Sequence, residues 1–374
     1  MSSSSQRVVF LDWMRGVAAI IMLQGHTFDA FASPETRQGS AYIFSQFFGG
    51  EAAAIFLLLT GVTYGLGMNR RQHLPPAQRV IAALKRARYL FVLAVLFRLQ
   101  SWLFSMPHSD WHSLLKVDVL NLMGTMAAML SVLALFEGVR RIRWAVLIGA
   151  LIAAFSPLVS GLDLSAMPVW LRDYIVPGAI NFGIFPWGAF LAFGVAVGSM
   201  IPLVERGAWN RVMQWSALCG FGLLLGGQYF SNLPFSLYSN ADFWLNSPAL
   251  ISCKLGIALL LGAGAFLWTE FGSLGWSWVQ QLGTTSLVVY WVHVELVYGN
   301  WFKSFQGRLT TGQCLLFAAC LIPAMVALSV AVKRLQWGQM LRKIGIPIPG
   351  KPVPVQSILT TENGTERPRR IAGL

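Results

Sequence analysis

Four ionisable side chains, Asp12, Arg15, His26 and Asp29, stand inside or at the edges of one apolar stretch, FLDWMRGVAAIIMLQGHTFDAF. At about 100° per residue they fall at roughly 0°, −60°, −40° and −100° around a helix, so a single face carries all four. A charged group at the centre of a membrane helix costs at least ~2.5–3.5 kcal/mol unless it is paired or wet, so this stripe points to a polar cavity. Histidine is the side chain best placed to move protons near neutral pH or to act as a nucleophile. Glu51, Arg98, Asp118, Asn121, Lys254, His293 and Glu295 also fall within apolar runs. Arg98 sits too far from either end of its run to snorkel and needs an anionic partner, a substrate anion or water. Others have a structural alternative: an Asp12–Arg15 ion pair, packed histidines at 26 and 293, and mutual neutralisation of Glu51, Asp118 and Lys254.

The elements that must position these groups are apolar helices. With 374 residues, 55% hydrophobic and 11% charged, and a mean hydropathy of +0.59, the chain has too little polar surface for a soluble globular domain. Apolar runs recur at about 8–31, 48–68, 88–106, 118–137, 144–160, 181–203, 212–230, 249–270, 283–303 and 312–335. The expected fold is all-α, a polytopic membrane helix bundle of about ten transmembrane helices. Lys and Arg concentrate in NRRQHLPPAQRVIAALKRAR, EGVRRIR, VERGAWNR and KRLQWGQMLRK, so the net charge of +13 reads as topology and not as nucleic-acid binding. The positive-inside rule then puts both termini in the cytoplasm. The first apolar run holds two charges and lacks a small-residue cleavage site, so it is read as mature structure and not as a signal peptide. Residues 1–335 form the expected transmembrane domain, and 336–374 a Pro-rich cytoplasmic tail, interfacial or disordered, with WGQMLRKI at its start.

The four cysteines lie in apolar stretches without a CxxC pair, which indicates neither a disulfide framework nor a metal site. No GxSxG elbow, HExxH or P-loop is present, which removes support for hydrolase and nucleotide-motor chemistry. The cluster Lys85, Arg86 and Arg88 is a positive-inside signal and also a place for a cytosolic polyphosphate to dock.

Four stretches, in order, carry a family likeness. LDWMRGVAAIIMLQGH resembles the Leu-Asp-x-x-Arg-Gly…His opening of transmembrane acyltransferases, and VDVLNLMG, FPWGAFLAFGVAVG and LGTTSLVVYWVHVELVYG resemble later segments of the same proteins. The chain is similar to bacterial relatives of heparan-α-glucosaminide N-acetyltransferase, and more distantly to the acyltransferase-3 family. That resemblance implies a bacterial inner-membrane enzyme that moves an acyl group, usually acetyl, from cytosolic acyl-CoA to a sugar or glycoconjugate acceptor, without metal or nucleic acid. Carried over, the motif histidine is His26, as general base or transient acyl carrier. Asp29 or Glu51 would orient it, and Arg98, Asn121 or Lys254 would stabilise the oxyanion, with His293 a further candidate. Acetyl-CoA would be held by Asp12, Arg15, Lys85, Arg86 and Arg88, where KRAR stands in place of a strict Arg-x-x-Arg. The rival expectation is a proton-coupled transporter of a small polar or anionic solute, with the same groups as a relay.

Overall fold

A computed structural model describes residues 3–106, 110–176, 181–235, 237–238, 241–272 and 275–335. Among them the chain is all-α, with no β-strand and a single isolated bridge between Ala32 and Leu309. In chain order the helices are α1 (Ser3–Phe31), α2 (Pro34–Arg37), α3 (Ser40–Gly49), α4 (Glu51–Asn69), α5 (Pro76–Phe104), α6 (Val119–Leu130) and α7 (Gly138–Ser160). They continue with α8 (Val169–Ile175), α9 (Ile184–Met200), α10 (Trp209–Ser231), α11 (Pro248–Phe271), α12 (Trp278–Thr284), α13 (Ser286–Tyr298) and α14 (Thr311–Arg334). In hydrocarbon every backbone group must be satisfied within its own segment, and long helices do that. Among the described residues five segments are long and apolar enough to cross a membrane: Ser40–Asn69, Gly138–Ser160, Ile184–Leu203, Pro248–Phe271 and Thr311–Arg334. α1 and α5, each of 29 residues, are long but broken by charge.

Local chemistry sets the boundaries. The Asp118 carboxylate accepts from the Asn121 amide at 2.9 Å and starts α6, and Ser247 followed by Pro248 starts α11. Three expected runs are interrupted. The second is divided at Gly50 into α3 and α4, and the fourth tightens into a 3-10 turn after Leu130. The ninth breaks at Thr285 between α12 and α13. There Ser329 bonds to both Gln281 and Thr285 and holds the break. In the Phe-Pro-Trp-Gly segment the Phe185–Pro186 peptide is cis, and regular helix follows Phe185.

Close packing comes from small residues. Gly61 and Gly65 on α4 face Gly194 and Gly198 on α9, and a methyl at Gly61, Gly194 or Gly198 would collide with the facing carbonyl of Leu191, Leu58 or Val62. This spacing is that of small-residue contacts between membrane helices, where dispersion takes the place of hydrophobic drive. Leu57, Met126 and Phe190 form the buried centre of the surrounding core. Residues Met1–Ser329 make one compact unit; of a second, Val330–Leu374, the end of α14 is described. The segment WGQMLRKI and the tail 336–374 lie outside the described residues.

Candidate active site

His26 lies in the last turns of α1, and α13 brings His293 against it. The His26 Nδ1 is 2.9 Å from the His293 Nε2, with the rings stacked at a centroid distance of 5.1 Å and 17° between planes. His293 is 0% exposed, and its other nitrogen, Nδ1, is 2.8 Å from the Val289 carbonyl. His26 is only partly buried. Tyr298 meets the His26 ring edge-on at 5.4 Å, and its hydroxyl donates to Asp29 Oδ2 at 2.7 Å. Tyr290 packs edge-on against His293 at 5.8 Å. The position of His26 is fixed by its neighbour Gly25, whose Cα faces Gly49 of α3 with no room for a methyl. The Gln46 amide donates to the Gly25 carbonyl at 3.1 Å in the same crossing.

Of the remaining sequence candidates, Glu51, Lys254 and Arg98 sit in two ion pairs. Lys254 Nζ bonds Glu51 Oε1 at 2.9 Å, with 7% and 2% of these residues exposed. Glu51 opens α4, where the helix dipole favours a carboxylate. Arg98 reaches Asp118 at 2.9 Å, so the partner that its depth in an apolar run demands is supplied by the α6 cap. The Asn121 side chain donates to the Lys116 carbonyl at 3.2 Å. Tyr290, which packs on His293, and Tyr174 both lie within electrostatic reach of the Arg98–Asp118 pair. Of the seven catalytic candidates the structure therefore joins His26, His293 and, through Tyr298, Asp29. It couples Glu51 to Lys254 and sets Arg98 beside the cap that holds Asn121. The sequence reading has Asp29 or Glu51 orienting His26, but the group bonded to the ring is His293. Glu51 is committed to Lys254, and Asp29 accepts from Tyr298.

The N-terminal half of α1 carries a different arrangement. Arg15 and Asp12 pair at 2.6 Å, beside α12, where a methyl at Gly283 would strike the Asp12 carbonyl and one at Gly16 the Val279 carbonyl. Of the basic trio on α5, Lys85 and Arg88 are exposed and Arg86 is turned inward. Its guanidinium lies 5.1 Å from the Tyr89 ring centre and within electrostatic reach of Arg15 and Arg71. Burial first, and these two like charges after it, push Arg86, which precedes the apolar run of α5, below the usual arginine range. A guanidinium stays charged regardless. The physical result is a cation that an added anion would relieve.

Sequence reasoning missed Arg71, Tyr298 and Tyr290. Arg71 stands in a basic loop whose charges read as topology, and nothing in its spacing singles it out. Tyr290 had a signal, since it precedes His293 by three positions on one helix and shares its face. Arg141, in the first turn of α7, is 0% exposed and donates to the Leu133 and Phe136 carbonyls at 3.1 and 3.0 Å and to Asn69 at 2.7 Å. Among the described residues no group of three or more His, Cys, Asp or Glu could hold a metal ion.

A family model described as heparan-alpha-glucosaminide N-acetyltransferase, catalytic, matches residues 7–225. None of the curated proteins matches the chain. The matched stretch contains His26, Asp29, Glu51, Arg98, Asn121 and the arginines around Arg86, and it ends before Lys254 and His293.

Proposed function

We infer the function from one premise: this chain belongs to the heparan-alpha-glucosaminide N-acetyltransferase catalytic family, and it is an integral membrane acetyltransferase for sugar-like acceptors. We propose that the donor is cytosolic acetyl-CoA and that the acceptor offers a hydroxyl or an amine. The acceptor oxygen or nitrogen attacks the thioester carbonyl carbon, the C–S bond breaks, and the acceptor proton passes to His26 and on to the coenzyme A thiolate. Of the three oxyanion candidates we favour Arg98, whose side chain keeps 16% exposure and whose guanidinium has more N–H groups than its pair with Asp118 uses, whereas Asn121 and Lys254 are largely buried and already donate to Lys116 and Glu51. A preformed donor of this kind stabilises charge that develops in the transition state.

Arg15, Arg71 and Arg86 would receive the phosphates of the donor, and the acyl-bearing arm would follow the polar face of α1 for about 16 Å, eleven residues at 1.5 Å each, to reach His26. Lys85 and Arg88, on the exposed face of α5, would add only long-range attraction. In this reading about ten spans cross a bacterial inner membrane within residues 1–335, both termini are cytoplasmic and the tail 336–374 lies on that side. The observation that carries the proposal is that α1 brings His26 against His293 of α13 near one end, and Arg15 within electrostatic reach of Arg86 of α5 toward the other. The test is transfer of labelled acetyl from acetyl-CoA by His26→Ala. Full transfer by the folded variant would sink the assignment. Solute accumulation driven by a pH gradient in proteoliposomes, without stabilisation by acetyl-CoA, would replace it with a transporter.

A further inference from the structure

His293 is fully buried and lies outside the residues that the family match covers. We propose that it is a positioning residue, which holds His26 in the tautomer whose lone pair is on Nε2. The inference rests on the acetyltransferase reading and adds to it the state of the base.

The Val289 oxygen can only accept, and it has two lone pairs, so the His293 Nδ1 at 2.8 Å must carry a hydrogen. A neutral imidazole carries one N–H, which leaves the His293 Nε2 as an acceptor. That atom is 2.9 Å from the His26 Nδ1, which must therefore be the donor. The hydrogen on His26 is then fixed at Nδ1, and Nε2 holds the lone pair that can take the acceptor proton. The opposite polarity would point the bare Nδ1 of His293 at a carbonyl oxygen, lone pair against lone pair, in a site where an unmet polar group is costly.

When His26 gains a proton, its Nδ1–H already points at an acceptor, and the new charge is shared along the pair. The arrangement does for His26 what a carboxylate does in a catalytic triad, with a neutral ring in place of a buried anion. Asp29 is the obvious carboxylate for that task, but the structure gives Asp29 the Tyr298 hydroxyl at 2.7 Å and gives the His26 Nδ1 the His293 ring at 2.9 Å. His293 itself cannot touch an acceptor molecule because it has no exposed surface. Its effect must pass through His26.

Two measurements on the full-length protein in lipid nanodiscs test this. With ¹⁵N-labelled histidine and assignment by single substitutions among the five histidines, the wild type should show a protonated Nδ1 and an unprotonated Nε2 on His26. The reverse tautomer overturns the proposal, whatever the variants do. In the kinetic arm, His293→Gln places an amide oxygen near the former Nε2 and His293→Leu places none. The leucine variant should lose kcat by about 10²–10³-fold with the KM for acetyl-CoA nearly unchanged, and the glutamine variant should recover most of that loss. Wild-type kcat in His293→Leu, or equal losses in both variants, overturns the positioning role. Should the leucine variant fail to fold, the tautomer of the wild type still decides. An active His26→Ala variant would instead remove the acetyltransferase assignment of His26, so failure of the two readings is told apart.

Discussion

The two ends of the polar face of α1 are built on different principles. Toward the C-terminus, His26 is held by a ring 2.9 Å away, stacked at 17°, edged by Tyr298 and set by a helix crossing too tight for a methyl. Toward the N-terminus, Arg15, Arg71 and Arg86 come from three segments, with Asp12 pairing one of them at 2.6 Å. The first end specifies position and the second specifies charge. A misplacement of about 1 Å at a reacting group can cost 10²-fold in rate, whereas attraction between a cation cluster and a polyphosphate decays slowly with distance. The two ends should therefore fail differently when altered.

The largest effect is expected at the histidine end. His26→Ala should lower kcat by about 10²–10⁴-fold, the range of general acid–base catalysis, while calorimetric affinity for acetyl-CoA stays near wild type. A parallel loss of donor affinity would break the comparison by making His26 part of the binding site. The Glu51–Lys254 pair sharpens it as a control, being charged and buried but committed to itself. Glu51→Gln should lower thermal stability by about 3–5 kcal/mol, because it leaves a buried ammonium without its partner, and the double variant Glu51→Gln/Lys254→Met should recover most of it. If the double variant is stable yet inactive, the pair acts in transfer as well.

The fold was legible in the sequence to the level of apolar runs, each of which has helical structure in its place. Its interruptions were not, because the breaks at Gly50 and Thr285 depend on contacts made elsewhere: the Gly25–Gly49 crossing and the bonds from Ser329. The candidate site was legible only as a set of residues too costly to leave in hydrocarbon without partners. Burial cost says that Arg98 needs an anion, and the structure supplies Asp118. It does not say which of several carboxylates that will be, nor that His26 will pair with another histidine and not with Asp29. Arg71 and Arg141 were hidden for the opposite reason, since a cation in a basic loop costs nothing in the sequence reading and gains meaning only from its neighbours.

At the arginine end a moderate effect is expected. Arg86→Gln should raise the KM for acetyl-CoA by about tenfold, the value of one charge-assisted hydrogen bond, and leave kcat within about threefold. The difference from wild type should shrink in high salt, because part of the lost attraction is screened. Coenzyme A lacking its 3′-phosphate should feel the substitution less than the full molecule if Arg86 reads that phosphate. A fall in kcat with unchanged KM would break the comparison by moving Arg86 into the chemistry.

The smallest effect is the most discriminating. Asp12 and Arg15 form an i,i+3 pair with one-fifth of each side chain exposed, so Asp12→Asn should cost more than the ~1 kcal/mol of a surface pair and less than the ~3–5 kcal/mol of a fully buried one. Its influence on donor binding depends on what the arginine end measures. If net charge is what counts, removing the carboxylate raises the local positive potential and leaves Arg15 available to a phosphate, and the KM for acetyl-CoA falls by about twofold with kcat unchanged. If Asp12 instead aims the Arg15 guanidinium, the same change releases that side chain into other rotamers and the KM rises. The two outcomes have opposite sign, so titration of acetyl-CoA against wild type and Asp12→Asn decides whether the two ends of α1 differ in principle or only in chemical type.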